Sequence, residues 1–230
     1  MRARWVVVGI TCALLFAVRS GSAYSPIGRQ WTPGTGIVMQ LQQGTPGAAL
    51  VDGSPDWDLV TADALTTWNT VLGGVSFAAT RDTAAPPAIP NDVNDVIWGD
   101  DVYGDPFGDG VVAITVSLYR VDDNITTEAD VIFNRKYRWD SYRGNMRRAS
   151  DGSALVDLRR VALHEFGHVL GLNHPDDSGQ TVRAIMNSHT GDIDRLQQDD
   201  VDGVTSIYGP AKAADTMQSR GPRFIPHRPL

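Results

Sequence analysis

The sequence predicts a single α+β domain. Candidate strands mostly precede the main helices, with one early helix between them, and no internal repeat or long charged block divides residues 31–209. Of the 230 residues, 42% are hydrophobic and 20% are charged, which is ordinary for a soluble globular chain with a sizeable core. This composition excludes a disordered protein, a collagen and a multi-pass membrane protein.

The first half of the chain is predicted to be mainly strands. Partial alternation of apolar residues predicts a strand over 36–42. Ser54, which stands before a proline, is the candidate cap of a helix with apolar residues at helical spacing over 57–72, and the glycine pair at 73–74 ends it. Further strands are predicted over 75–78, 95–98, 111–119 and 129–133, with a loop over 82–95.

The second half is predicted to be mainly helical. Asp157 is the candidate N-cap of a second helix, whose apolar residues recur at helical spacing. A third helix is predicted to begin near Asp199 or Asp200 and to end at Gly209. Residues 210–230 are mixed polar and are expected to form a flexible C-terminal tail.

The N-terminal residues have the pattern of a secretory signal peptide. Arg2 and Arg4 precede an apolar run over 5–18 that is too short to span a bilayer, and small residues lead to Ala23. We therefore expect a signal peptide over 1–23. An uncleaved membrane anchor is the alternative that this segment leaves open.

Removal of the signal peptide would leave a domain over 24–209 and the tail. It would also remove Cys12, the only cysteine in the chain, so the exported protein would not depend on disulfides. We expect secretion to an extracellular or periplasmic location, without stable membrane insertion afterwards. The formal net charge of -7 argues against a nucleic-acid partner.

One eleven-residue segment carries the chemistry. His164 and His168 are four residues apart, so on a helix both imidazoles face the same way and can reach one metal ion. Gly171 can end the helix and let the chain return His174 as a third ligand. Three neutral imidazoles leave a fourth position open for water, as in catalytic zinc sites, and Glu165 can then act as the general base.

This segment resembles the signature of the metzincin metalloproteases, and Ala184-Ile185-Met186-Asn187 resembles their methionine turn. Within the metzincins the chain is most similar to the matrixins, at 164–168, 199–203 and 207–209. The resemblance covers about residues 31–209. It implies a zincin-like single domain, with a twisted mixed sheet, an active-site helix and a C-terminal helix, and a protein or peptide substrate.

Several residues depart from the matrixin pattern. No histidine precedes His164, and Ile132 stands where a ligand of the family's second zinc is expected, so we predict one catalytic zinc only. Without Cys12 no thiol is left to hold the enzyme latent as a matrixin propeptide does. Ser188 occupies the position of the tyrosine that astacins and serralysins use, and the matrixin specificity-pocket residues are not recognisable.

Other polar residues allow two interpretations each. Six aspartates between 91 and 109 could form a structural Ca²⁺ site, which the resemblance favours, or a solvated acidic loop. Asp199 or Asp200 could bond beneath the methionine turn, pair with a new N-terminus or cap a helix. His189 is expected at the surface rather than at the metal, and His227 in the tail is expected to do nothing there.

These observations predict a secreted zinc-dependent endopeptidase that acts as a monomer. Zinc would polarise the scissile carbonyl, and Glu165 would take the proton of the attacking water. The substrate would lie extended beside an edge strand over 110–117. The alternative is a zinc-bearing binding or adhesion module whose catalysis is unused; a metallo-hydrolase of another substrate class is a third hypothesis.

Overall fold

The computed structural model of the chain describes residues 23–81 and 86–211. The predicted signal peptide up to residue 22, with Cys12, and the predicted tail from residue 212, with His227, lie outside the described residues. So does part of the predicted loop over 82–95. The described chain confirms the α+β prediction, since a mixed sheet is combined with three α-helices.

The helices lie close to their predicted positions, and the strands are mostly longer than predicted. The helices are α1 (Trp57–Asn69), α2 (Leu158–Val169) and α3 (Gln198–Tyr208), with a 3-10 turn at Asp176–Ser178. The strands are β1 (Ser25–Pro26), β2 (Gly36–Leu41), β3 (Ser76–Thr80), β4 (Asn94–Gly99), β5 (Ala113–Arg120), β6 (Ile125–Asn134), β7 (Trp139–Asp140), β8 (Arg147–Arg148), β9 (Ala154–Asp157) and β10 (Leu172–Asn173).

A five-stranded sheet organises the domain, in the order β3-β2-β4-β6-β5. The first four of these strands pair in parallel, whereas β5 pairs antiparallel with β6 and forms an edge of the sheet. Most of β6 is buried, since it lies between two strands and under a helix. The sheet thus leaves one side of β5 without a strand partner among the described residues.

Helices α1 and α2 pack against each other and against the sheet. The indole nitrogen of Trp68 donates to Leu163 O over 2.9 Å, and the rings of Phe77 and Phe166 lie 5.7 Å apart. Trp68, Leu163 and Phe166 are fully buried. This packing fixes α2, the helix with the histidine motif, beside α1 and against β5 and β6.

The ends of α1 differ from the prediction. Asp56 rather than Ser54 is the N-cap, because its carboxylate accepts the Leu59 amide over 2.7 Å. The helix ends at Asn69, before the predicted glycine stop. Gly74 serves another purpose, since a Cβ there would lie 2.7 Å from Tyr208 O and would push the end of α3 away.

Within residues 23–81 and 86–211, no helix combines the length and the apolar character needed to cross a bilayer.

Candidate metal centre and active-site cleft

The three predicted ligand histidines lie together at the end of α2. His164 and His168 project from one face of the helix. Gly171 has φ +92° and would place a Cβ 2.4 Å from Arg29 O, so both its conformation and its surroundings require glycine. The chain reverses there and returns His174, whose Nε2 lies 3.1 Å from that of His164 and 3.0 Å from that of His168.

Protein atoms orient the two helical histidines. Nδ1 of His164 donates to Ile185 O over 2.9 Å, and Nδ1 of His168 donates to Leu172 O over 2.8 Å. These bonds place the lone pair of each ring on Nε2, which faces the centre of the triangle. Burial lowers the pKa of His164 and that of His168 to about 4, so both rings are neutral, as metal ligands must be.

His174 has a different partner. Its Nδ1 donates to Asp177 Oδ2 over 2.9 Å, and the Asp177 side chain is 61% exposed. This is a carboxylate–histidine arrangement, which fixes the ring and increases its basicity as a ligand.

The histidine triangle fits a zinc ion. Nitrogen ligands of tetrahedral zinc, at about 2.0–2.1 Å from the ion, are about 3.3–3.4 Å apart, close to the 3.0–3.1 Å between the Nε2 atoms here. Three converging lone pairs without a proton between them would repel one another, whereas a cation offsets that repulsion. Among the described residues, this is the one group of three or more His, Cys, Asp or Glu side chains close enough to share an ion.

Glu165 lies beside this triangle and lines the same cleft. The Thr115 hydroxyl donates to Glu165 Oε2 over 2.7 Å, so the carboxylate is held from the edge strand. Burial raises the pKa of Glu165 above its ordinary value, because a buried carboxylate loses hydration. A buried carboxylate with a raised pKa is a better base than an exposed one.

The cleft has a volume of about 940 Å³ and runs along β5. One wall is the segment 110–117, which places the predicted edge strand beside the histidines. The opposite wall is the segment 183–193. Arg160 is buried in the cleft wall and donates to the carbonyls of Gly144 and Gly191, which ties neighbouring loops together.

The methionine turn lies beneath the histidines. A Cβ on Gly167 of α2 would lie 2.2 Å from Met186 Sδ, so the methionine packs directly against the glycine. Asp200 accepts the amides of Ile185 and Met186 at 2.9 and 3.2 Å, and it also accepts the Gln197 amide at the start of α3. Of the two candidate aspartates, Asp200 therefore both holds the turn and caps the helix.

The other candidate residues do not belong to the triangle. His189 is exposed, and its Nδ1 lies 2.9 Å from Ser188 Oγ. Ile132 is buried in β6. The aspartates between 91 and 109 are dispersed: Asp95 is buried and accepts the Asn91 side chain, whereas Asp100 pairs with Arg135.

Two residues at the site, Thr115 and Asp177, were not predicted from the sequence. The position of Asp177, three residues after the third histidine, was a usable signal. Thr115 had none, because its bond to Glu165 joins residues that are 50 positions apart in the chain.

The fold and the site together define a metzincin-like protein, in which a helix and the turn after it present three histidines under an edge strand. Comparison with known families agrees. The family model described as Matrixin matches residues 51–209, which is more than half of the chain, and the chain belongs to this family.

Individual relatives match over shorter segments. Interstitial collagenase of Sus scrofa is 46% identical over 70 residues, which is 29% of this chain and 13% of the relative. Matrix metalloproteinase-25 of Homo sapiens is 45% identical over 65 residues, 27% of this chain and 11% of the relative. Interstitial collagenase of Oryctolagus cuniculus is 38% identical over 97 residues, 41% of this chain and 17% of the relative. The chain thus covers less than a fifth of the length of each.

Proposed function

We propose that this protein is a zinc-dependent endopeptidase with Glu165 as its general base. The observation that carries the proposal is the buried Glu165 carboxylate, which lies beside the histidine triangle in an open cleft. Membership of the matrixin family supports the same reaction class. A protein that only bound a partner would have no need for a base at this position.

His164, His168 and His174 would hold the metal. Zinc bound there would supply a Lewis acid able to polarise the scissile carbonyl and acidify the attacking water. Glu165 accepts the proton of that water and passes it to the leaving amine. The Thr115 hydroxyl, 2.7 Å from Glu165 Oε2, keeps the carboxylate in position and leaves its other oxygen for the water.

The position of β5 at the edge of the sheet indicates the substrate class. An extended peptide can add to the edge of this strand that has no strand partner among the described residues, through main-chain hydrogen bonds, which give affinity for many sequences. We therefore propose a protein or peptide substrate that is bound in an extended conformation by a monomer.

Replacement of the base tests the mechanism. Glu165→Gln should retain bound zinc and lower kcat for cleavage of denatured casein or gelatin at least about hundredfold, because proton transfer is lost. Asp122→Asn, which likewise replaces a carboxylate with an amide but at an exposed loop residue, is the control and should leave kcat unchanged. Retained cleavage by zinc-loaded Glu165→Gln would rule out the assigned role.

Metal analysis tests the cofactor. A chelator should abolish cleavage and zinc should restore it, with one zinc per chain at saturation, because no histidine precedes His164 and Ile132 stands where the matrixin resemblance leads us to expect a ligand of a second zinc. Two tightly held zinc ions would contradict this proposal.

We further propose that the aspartates between 91 and 109 bind calcium. Added calcium should then raise the unfolding temperature, and an unchanged unfolding temperature would contradict this proposal.

We also propose export. The signal peptide over 1–23 would direct the chain to an extracellular or periplasmic location, leaving the catalytic domain over 24–209 and the tail over 210–230. N-terminal sequencing of the exported protein should begin at Tyr24. A product that still contains the apolar segment would favour the membrane anchor.

A further inference from the structure

The segment just before the first long strand forms one end of the cleft. Its backbone is held on two sides: Ile27 N donates to Gly171 O over 2.8 Å, and Gln30 N donates to Asn124 O over 3.2 Å. Thr126 N in turn donates to Gln30 O over 2.8 Å. The segment is therefore fixed between the end of α2 and the hairpin that joins β5 to β6.

Arg29 lies within this fixed segment and lines the cleft. Its Cζ is 4.4 Å from the ring centre of Tyr119, so the guanidinium stacks on a side chain of the edge strand. The residue is half-buried, and among residues 23–81 and 86–211 no carboxylate pairs with it and no acceptor takes its side-chain N–H groups. A planar cation that is stacked in place with free donors suits a carboxylate ligand.

Arg160 differs from Arg29 in the hydrogen bonds that its guanidinium makes. Arg160 also lines the cleft, but its buried guanidinium donates to the carbonyls of Gly144 and Gly191 and faces Asp157. Its two outer nitrogens are used in holding loops together. Among the residues that the structure describes, the Arg29 side chain makes no hydrogen bond of this kind, and its guanidinium contacts the Tyr119 ring.

The length and direction of β5 indicate which residues of a bound peptide would lie near Arg29. Thr115, which contacts Glu165, marks the reacting bond, and Tyr119 lies four residues further along the strand. At a rise of about 3.3 Å per residue, the backbone of Tyr119 lies about 13 Å along the strand from that of Thr115. A peptide that adds antiparallel to β5, the more stable pairing, passes its N-terminal residues along this end.

We propose that Arg29, stacked on Tyr119, forms a subsite for an acidic side chain about three to five residues before the scissile bond. The proposal rests on the proposed endopeptidase function and names a class of substrate for it. The acidic side chain pairs with the guanidinium, whose two outer nitrogens match the two carboxylate oxygens.

Matched peptides test the subsite. Versions of one substrate peptide are synthesised with Glu or Gln at each of the positions about three to five residues before the scissile bond. For each version, kcat/KM is measured for the unmodified protein, Arg29→Gln and Arg29→Glu. We expect the unmodified protein to prefer one Glu peptide about threefold to tenfold. Arg29→Gln should remove that preference and Arg29→Glu should reverse it, and the quantity compared is the ratio of kcat/KM for the Glu peptide to that for the Gln peptide within each variant.

The control is Lys136→Glu, which changes the charge equally at an exposed residue outside the cleft and should keep the preference. No preference in the unmodified protein, or an equal preference in Arg29→Gln, overturns the proposal. If no peptide is cleaved, the endopeptidase proposal fails separately, and the labelled peptides are tested for binding by fluorescence anisotropy. Tighter binding of a Glu peptide that Arg29→Gln loses supports the subsite, and equal affinities overturn it.

Discussion

At the residue scale, the three histidines differ in what fixes them. The Nδ1 atoms of His164 and His168 donate to backbone carbonyls, which the fold itself holds in place. Nδ1 of His174 donates to the Asp177 carboxylate. The third ligand therefore depends on one replaceable side chain, and this gives a mutational test of the metal site that does not involve the base.

Removal of the Asp177 carboxylate should weaken zinc binding. We expect Asp177→Ala to lower zinc affinity about tenfold, because the His174 ring loses its orienting acceptor and part of its basicity. Competition with a chromophoric chelator measures the affinity directly, without any cleavage assay. Asp122→Ala, at an exposed loop residue, is the control, and the prediction fails if the two variants bind zinc equally.

At the element scale, α2 is fitted to the methionine turn through a glycine. A Cβ on Gly167 would lie 2.2 Å from Met186 Sδ and 3.3 Å from Trp68 Cζ2, all within the core. The helix thus has a glycine in its interior, where alanine is ordinarily the more stable residue. Close contact between α2 and the turn outweighs that helix preference.

We therefore expect Gly167→Ala to destabilise the protein. An exposed helix position would gain up to about 1 kcal/mol from this change, but here the overpacked core should cost about 1–3 kcal/mol of unfolding free energy. Urea unfolding measures the difference. Gly36→Ala, where a Cβ would meet nothing within 4 Å, is the control and should change stability little. Equal stability of Gly167→Ala and the unmodified protein would contradict the packing argument.

At the scale of the whole molecule, the central strands β4 and β6 carry buried carboxylates, among them Asp95 and Asp130. Asp130 is fully buried, accepts the Asp95 amide over 2.7 Å and accepts the Tyr103 hydroxyl over 2.6 Å. Burial raises the pKa of Asp130 to about 6, although both hydrogen bonds oppose the shift. Folding therefore favours the protonated carboxyl.

This shift predicts how stability depends on pH. The stabilisation from protonated Asp130 is fully present below about pH 4, near the pKa of an unfolded aspartate, and is lost as the pH rises through about 6. Asp130→Asn stays neutral, so its unfolding free energy relative to the unmodified protein should rise by about 2–3 kcal/mol between pH 4 and pH 7. Denaturant unfolding at several pH values measures this, and a difference that does not change with pH would refute it.

Much of the fold was predictable because its signals are local. Helical spacing placed α1 and α2 to within a few residues, and glycine after a helix predicted the chain reversal at Gly171. The prediction was wrong about the cap of α1, where Asp56 competes successfully with Ser54. It was too short for β6, which spans Ile125–Asn134 instead of 129–133, because burial on both sides also takes in the polar residues Thr126 and Glu128.

The sequence by itself determined the reacting groups, because the spacing of His164, Glu165 and His168 fixes their directions on any helix. Only the tertiary structure decided what surrounds them. The bond from Thr115 to Glu165, the hold of Asp200 on the methionine turn and the stacking of Arg29 on Tyr119 all join distant segments. Such contacts depend on how the sheet and the helices pack, and no local pattern in the chain specifies that packing.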